Sequence, residues 1–179
     1  MKRIKLWDKE FEISLSYEEI QAAIRKMAVQ MKIDLEGKNA LFVCILNGSF
    51  MFAADLMKEL DLIDAEISFL KLASYTGTSS TGDIKELIGL NENMQDRTVV
   101  VLEDIVDSGH TIADVISQLL ERGAKDVKIA TLLFKPDAMK KKINLDYVGL
   151  VIPNDFIVGY GLDYDRRGRN FKDIYTLVK

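Results

Sequence analysis

The stretch Arg97–Gly123, RTVVVLEDIVDSGHTIADVISQLLERG, decides how the rest of the chain is read. Its opening, RTVVVL, is an unbroken apolar run of strand length, the signature of a strand buried on both faces of a parallel sheet. Its second half, TIADVISQLLERG, sets Ile112, Val115, Ile116, Leu119 and Leu120 on one helical face, with Gly123 as the stop. Between strand and helix stand three carboxylates, Glu103, Asp104 and Asp107, then the small-residue run Ser108-Gly109-His110-Thr111. Charge concentrated where a strand meets a helix needs a cause.

The alternation continues on both sides. Ser16 to Met31 places Ile20, Ile24, Met27 and Met31 near one face, and Ser16 with Glu19 has capping-box spacing. ALFVCIL reads as a buried strand, followed by NGSF and the helix SFMFAADLMKEL. EISFLKL and VKIATLLF are further strands, the latter ending at KPDAMKKK, and YVGLVIP, FIVGYGL and IYTLV are shorter late ones. The pattern predicts an α/β fold with a central, mainly parallel sheet flanked by helices. With two prolines and no low-complexity linker, residues 1–179 read as one domain. Ala73–Asp96, ASYTGTSSTGDIKELIGLNENMQD, opens on small and polar residues and reads as a flexible flap, with IKELIGL as one arm of a hairpin.

Composition bounds the function classes. Hydrophobic residues make up 48% and charged residues 29%, as in soluble globular domains. No apolar run nears the roughly 20 residues of a membrane span, and MKRIKLWDKEFEISLS lacks the core of a signal peptide. The expectation is a cytoplasmic protein with no membrane partner. The single cysteine, Cys44, cannot form an internal disulfide and reads as a core residue. One Cys and one His exclude a soft-metal cage, so any metal should be Mg²⁺-like and oxygen-held. A net charge of −4 argues against nucleic acid as a partner but not against an anionic small ligand in a locally basic pocket.

In open parallel sheets, ligands bind beyond the carboxyl ends of strands, where Glu103 and Asp104 are expected to lie. Ser108 to Thr111 open the next helix, where backbone N–H groups and hydroxyls can hold a phosphate and Gly109 permits close approach. Ionised carboxylates accept hydrogen bonds from vicinal hydroxyls. One loop thus offers acceptors for a sugar and donors for its phosphate. The plain alternative is a solvated acidic loop before a capped helix.

The order hydrophobic strand, Glu-Asp, two apolar residues, Asp-Ser-Gly-x-Thr resembles the phosphoribosyl diphosphate (PRPP) motif of type I phosphoribosyltransferases. TLLFKPD, PNDFIVGYGLDYD and DRRGRN extend the resemblance, nearly end to end, to the hypoxanthine-guanine branch of that family. The resemblance implies a small hood beside the sheet and a purine-salvage transfer from PRPP to hypoxanthine or guanine, giving IMP or GMP and pyrophosphate, with Mg²⁺ as cofactor. It assigns the ribose hydroxyls to Glu103 and Asp104, and the 5-phosphate to Asp107, Ser108, Gly109, His110 and Thr111, with His110 acting through its backbone. Asp107 becomes the general base at N7. Pyrophosphate falls to Asn47 and Gly48 of ILNGSF, to Ser74 and Tyr75 of the flap, and to Arg169. The purine falls to Lys135 at O6, Phe156 by stacking, Ile157 through its backbone and Asp163. The metal falls to Glu103, Asp104 and Asp163. Many relatives carry a basic residue at the position of Asn47, and the family often has a non-proline cis peptide in that loop. Relatives associate as homodimers or homotetramers, and SFMFAADLMKEL, apolar on more than one face, is the interface candidate. Lys135 with Phe156 disfavours uracil as acceptor and leaves xanthine open. A non-catalytic RNA-binding regulator on the same fold would need a basic patch, for which only Lys140-Lys141-Lys142 stands.

Overall fold

A computed structural model describes residues 2–73 and 85–178. The chain runs β1 (Arg3–Leu6), β2 (Lys9–Leu15), α1 (Tyr17–Leu35), β3 (Leu41–Leu46), α2 (Phe50–Leu60), β4 (Glu66–Ala73), β5 (Lys85–Ile88), β6 (Thr98–Val106), α3 (His110–Glu121), β7 (Asp126–Phe134), a 3-10 turn (Pro136–Ala138), β8 (Tyr147–Val151), β9 (Ile157–Val158) and β10 (Ile174–Leu177). The larger sheet has the order β5-β4-β3-β6-β7-β8. Its strands are parallel except β5, which pairs antiparallel with β4 at the edge.

The apolar runs are unbroken because both faces are covered. Phe42, Cys44, Val100 and Leu102 pack under α1 and α2, whereas Leu41, Val43, Val99 and Val101 pack under Ile112, Val115 and Leu119 of α3. Alternate residues of one strand thus serve opposite helix layers. Ile20, Ile24, Met27 and Met31 are buried as their spacing requires, and the Ser16–Glu19 capping box is complete.

A second sheet, antiparallel in the order β1-β2-β10-β9, forms the hood. Its own core is Leu6, Phe11, Val158 and Tyr175. Residues 3–15, read above only for the lack of a signal peptide, therefore form two strands. Ile4 and Leu6 alternate with charged residues, as do Phe11 and Ile13, and that period of two is the signal that was present.

Two differences position the site. β6 is longer than RTVVVL: it runs to Val106, so Glu103 and Asp104 lie inside the strand rather than beyond it. Pairing with β3 stops at Cys44↔Leu102, while pairing with β7 continues to Val106↔Phe134. From Glu103 onward β6 keeps its β7 neighbour but has lost its β3 neighbour. β3 meanwhile leaves through a cis Leu46–Asn47 peptide into α2. The second difference concerns the flap stretch. Residues 85–88 are strand β5, and Met94 is buried in the core beneath α3. The Asp96 N–H donates to the Gly123 carbonyl, so the end of the stretch is anchored. Ser74, Tyr75 and their neighbours through residue 84 lie outside the described residues.

Candidate active site

A cleft of about 350 Å³ opens at the carboxyl edge of the large sheet, lined by Glu103, Asp107, Ser108, Gly109 and Thr111 and walled by Leu46 and Leu72. The pleat starts Glu103 and Asp104 toward opposite faces of β6, yet beyond the last β3 partner their carboxyls meet. Glu103 lines the cleft. Asp104 is buried beside it, its carboxyl in hydrogen-bond contact with that of Glu103 while its Oδ1 accepts from the Ile105 N–H at 2.9 Å. A Cβ on Gly48 would stand 1.6 Å from Asp104 Oδ2, so only glycine lets the 47–49 loop close on that carboxylate. Burial and then the neighbouring Asp104 charge push the Glu103 carboxyl well above its ordinary range. An acid held in that condition is a mark of a functional position.

The two helices that meet this edge share a feature. At α3 the N-cap is Gly109, at φ 81°, and no side chain caps the helix. A Cβ there would sit 2.6 Å from the Lys141 carbonyl, so the loop is glycine-dependent as well as open. At α2 the N-cap is Ser49, and again no side chain caps the helix. The Ser49 hydroxyl turns away, donating to the Ile45 carbonyl beside Cys44 Sγ. Both helix starts present backbone N–H groups and the positive end of a dipole toward β6, the arrangement that binds anions.

The base-reading candidates gather next to Asp107. The Lys135 N–H donates to the Val106 carbonyl at 3.0 Å, so Asp107 and Lys135 leave adjacent strand ends side by side. Lys135 is only 7% exposed, against the usual habit of lysine, and its Nζ donates to the Asp155 carbonyl at 2.7 Å. Phe156 follows and is 46% exposed. One side of its ring rests on Phe11 at 6.1 Å and on the edge of Tyr164 at 5.8 Å. Phe156 is therefore not a core aromatic, and it has surface left to stack on. Ile157 is held by the β9–β10 ladder through Thr176. Asp163 pairs with Arg169 Nη2 at 2.7 Å, its other oxygen accepts from the Arg166 N–H, and Arg169 Nη1 donates to the Gly161 carbonyl at 2.6 Å.

Among the described residues, no three His, Cys, Asp or Glu side chains gather as a metal cage. Glu103 and Asp104 stand together, and Asp163 is engaged by Arg169. This donor set fits Mg²⁺ in its common mode, one or two carboxylates completed by substrate oxygens, rather than a closed protein site.

These observations meet the matches to known proteins. Residues 16–165 match the family model described as "Phosphoribosyl transferase domain". The hypoxanthine-guanine phosphoribosyltransferase of Streptococcus thermophilus is 41% identical over 93% of this chain and 92% of its own length. The chain belongs to the hypoxanthine-guanine phosphoribosyltransferases. A bifunctional TilS/HprT protein of Listeria monocytogenes is 42% identical over 93% of this chain, and there the chain spans about a quarter (26%) of the relative's length. A hypoxanthine phosphoribosyltransferase from Staphylococcus aureus superposes with a TM-score of 0.87 at 38% identity, covering 93% of this chain and 91% of that one.

Around this site the sequence missed two supports. Lys140 and Lys141 donate their backbone N–H groups to the Ser108 carbonyl, bracing the loop before α3. The lysine run thus has a structural task independent of its charge. The second is a buried polar cluster around Tyr160, next to glycines on both sides in VGYGLDYD. That glycine flanking was the only local hint.

Proposed function

We propose that the chain transfers the 5-phosphoribosyl group of PRPP to N9 of hypoxanthine or guanine, forming IMP or GMP and pyrophosphate. One observation carries the reading: two uncapped helix starts flank a pair of strand carboxylates, one anion site on each side of a polyol site. PRPP has that layout, a phosphate at C5, hydroxyls in the middle and a diphosphate at C1.

The residues take the following roles. The N–H groups from Ser108 to Thr111 hold the 5-phosphate. Glu103 and Asp104 hold the ribose hydroxyls, and filling the site relieves the buried Glu103 carboxyl. Asn47 and Gly48 at the start of α2 hold the diphosphate through the backbone, with Arg169. Phe156 stacks on the purine, Ile157 reads its edge and Lys135 donates to O6. As N9 attacks C1, the N9 electron pair forms the new bond and the C1–O pair departs with pyrophosphate. Asp107, exposed in the cleft beside Lys135, takes the N7 proton. Asp163 and the Glu103–Asp104 pair would hold Mg²⁺ together with substrate oxygens, and the ion would supply charge neutralisation for the departing pyrophosphate.

The partner of the chain is a second copy of itself. Phe52, Ala53, Leu56 and Leu60 bury the inner face of α2, while Phe50 stays exposed. Ile67 and Phe69 pair with Phe42 and Cys44, so they face the same layer as α2 and are exposed too. The pair of surfaces is apolar enough for a homodimer, and sedimentation velocity reads the state directly. Cytoplasmic placement rests on the free, buried Cys44 and on the lack, among the described residues, of a helix long and apolar enough to cross a membrane.

The test is chromatography of products after incubation with PRPP, Mg²⁺ and each of hypoxanthine, guanine, xanthine, adenine and uracil. Nucleotide from hypoxanthine or guanine is the expected outcome. No nucleotide from any base, with PRPP still bound, would overturn it.

A further inference from the structure

We propose that Asp55 and Tyr160 are positioning residues that clamp together the two walls of the diphosphate site. The inference rests on the phosphoribosyltransferase reading above. One wall is the 47–49 loop at the start of α2. The other is the 161–169 segment that carries Asp163 and Arg169.

The two walls touch through glycine. Gly161, at φ 97°, lies so close to the Gly48 carbonyl that a Cβ would come within 1.9 Å of it. Such a contact between two backbones has no side chains to lock it. The lock lies one residue away. Tyr160 is 1% exposed, and its hydroxyl donates to Asp55 Oδ2 at 2.6 Å. Gln21 Nε2 donates to the same carboxylate oxygen at 2.7 Å, and Lys58 Nζ pairs with Asp55 Oδ1 at 2.6 Å. The carboxylate is therefore held by two other groups, Gln21 and Lys58, while it holds Tyr160.

Asp55 sits on α2, the helix that begins directly after the 47–49 loop. The second wall is thus attached at two points, Gly161 on Gly48 of the loop and Tyr160 on Asp55 of the helix that the loop begins. Downstream, the Gly161 N–H donates to the Arg169 carbonyl, and the Gly161 carbonyl accepts from Arg169 Nη1. Whatever fixes residues 160–161 therefore fixes Arg169, and through it Asp163. Burial, then the hydrogen bond to Asp55, keeps the Tyr160 phenol protonated far above its ordinary range, so the donor persists at any working pH. Loosening the clamp moves a diphosphate contact and leaves Lys135 and Phe156 where they are: Lys135 is bonded to the Val106 and Asp155 carbonyls, and Phe156 rests on Phe11, accepts from the Leu177 N–H and meets the second wall only at Tyr164, whose hydroxyl is held separately by Asp8.

The test pairs two measurements. Tyr160→Phe keeps the ring and removes one hydroxyl, and Asp55 retains Gln21 and Lys58. The expected result is a KM for pyrophosphate in the reverse reaction raised about tenfold, the scale of a small misplacement, with the hypoxanthine KM within about twofold. Asp55→Ala should behave alike, the double variant should be no worse than Asp55→Ala alone, and Asp55→Asn should recover most of the affinity. An unchanged pyrophosphate KM, a parallel rise for both substrates, or multiplicative effects would overturn the clamp. Calorimetric titration with magnesium pyrophosphate answers the same question without turnover. A tenfold weaker Kd in Tyr160→Phe supports the clamp and an equal Kd overturns it, even if wild-type protein proved inactive with every base and the function reading fell.

Discussion

Helix α1 begins closed, whereas α2 and α3 begin open. At α1 the Ser16 hydroxyl accepts from the Glu19 N–H and the Glu19 carboxylate accepts from the Ser16 N–H, so the first-turn donors are met by the chain itself. At α2 and α3 no side chain does this, and a serine able to cap α2 turns its hydroxyl back into the fold. Capping is worth about 1 kcal/mol, so two helices forgo stability that α1 collects. They do so on either side of the same strand end, where burial and the Asp104 charge also keep the Glu103 carboxyl above its ordinary range. Stability is given up at one edge of the sheet, and that edge is where the cleft lies.

If the open edge exists for chemistry, the largest effect should come from its most exposed acid. Asp107→Asn keeps size and hydrogen bonding and removes the base, so kcat should fall about 10²–10⁴-fold while PRPP affinity, read by calorimetry, holds. Unchanged kcat would remove Asp107 from the mechanism. Next comes Lys135→Met. Loss of a buried charged donor costs about 1.5–3 kcal/mol, so the hypoxanthine KM should rise about 10- to 100-fold with PRPP affinity spared. PRPP affinity falling instead would place Lys135 at the wrong end of the site.

Legibility followed the same division. The large sheet was readable because strands covered on both faces must be continuously apolar, as in TVVVL and LFVCIL. The hood's late strands were readable too, as FIVGYGL and IYTLV, but β1 and β2 were not, because Arg3, Lys5, Lys9, Glu10 and Glu12 give them a polar look that only the alternation of Ile4, Leu6, Phe11 and Ile13 betrays. The burial of Lys135 runs against the habit of its residue type and depends on β6 and β8 passing on either side. The Asp55–Tyr160 contact joins residues 105 positions apart, and no local pattern announces such a pair. The meeting of the Glu103 and Asp104 carboxyls lies just past Leu102, where pairing with β3 ends, a register that sequence alone does not set.

Smaller effects sharpen the contrast in stability. The folded pKa of Glu103 lies above its unfolded value, so ionising it disfavours the fold. The penalty is absent below the unfolded pKa, grows as pH rises and is complete above the folded pKa. Glu103→Gln should therefore raise stability at pH 8 by about 1 kcal/mol, a Tm gain of about 2–4 °C, and the gain should vanish by about pH 4. The same variant should weaken PRPP binding. A lower Tm at pH 8 would contradict the assignment of strain to this acid. Ser16→Ala is the opposite case: a loss of about 1 kcal/mol, seen as a similar fall in Tm, with kcat/KM unchanged.

The most direct measurement is amide hydrogen exchange with and without PRPP and Mg²⁺, followed at the three helix starts. Protection should appear at residues 47–51 and 108–112 together, with none added at residues 16–20. Protection at neither open start, at only one of them, or equally at the capped start would contradict a site built from two uncapped helices around the β6 acids.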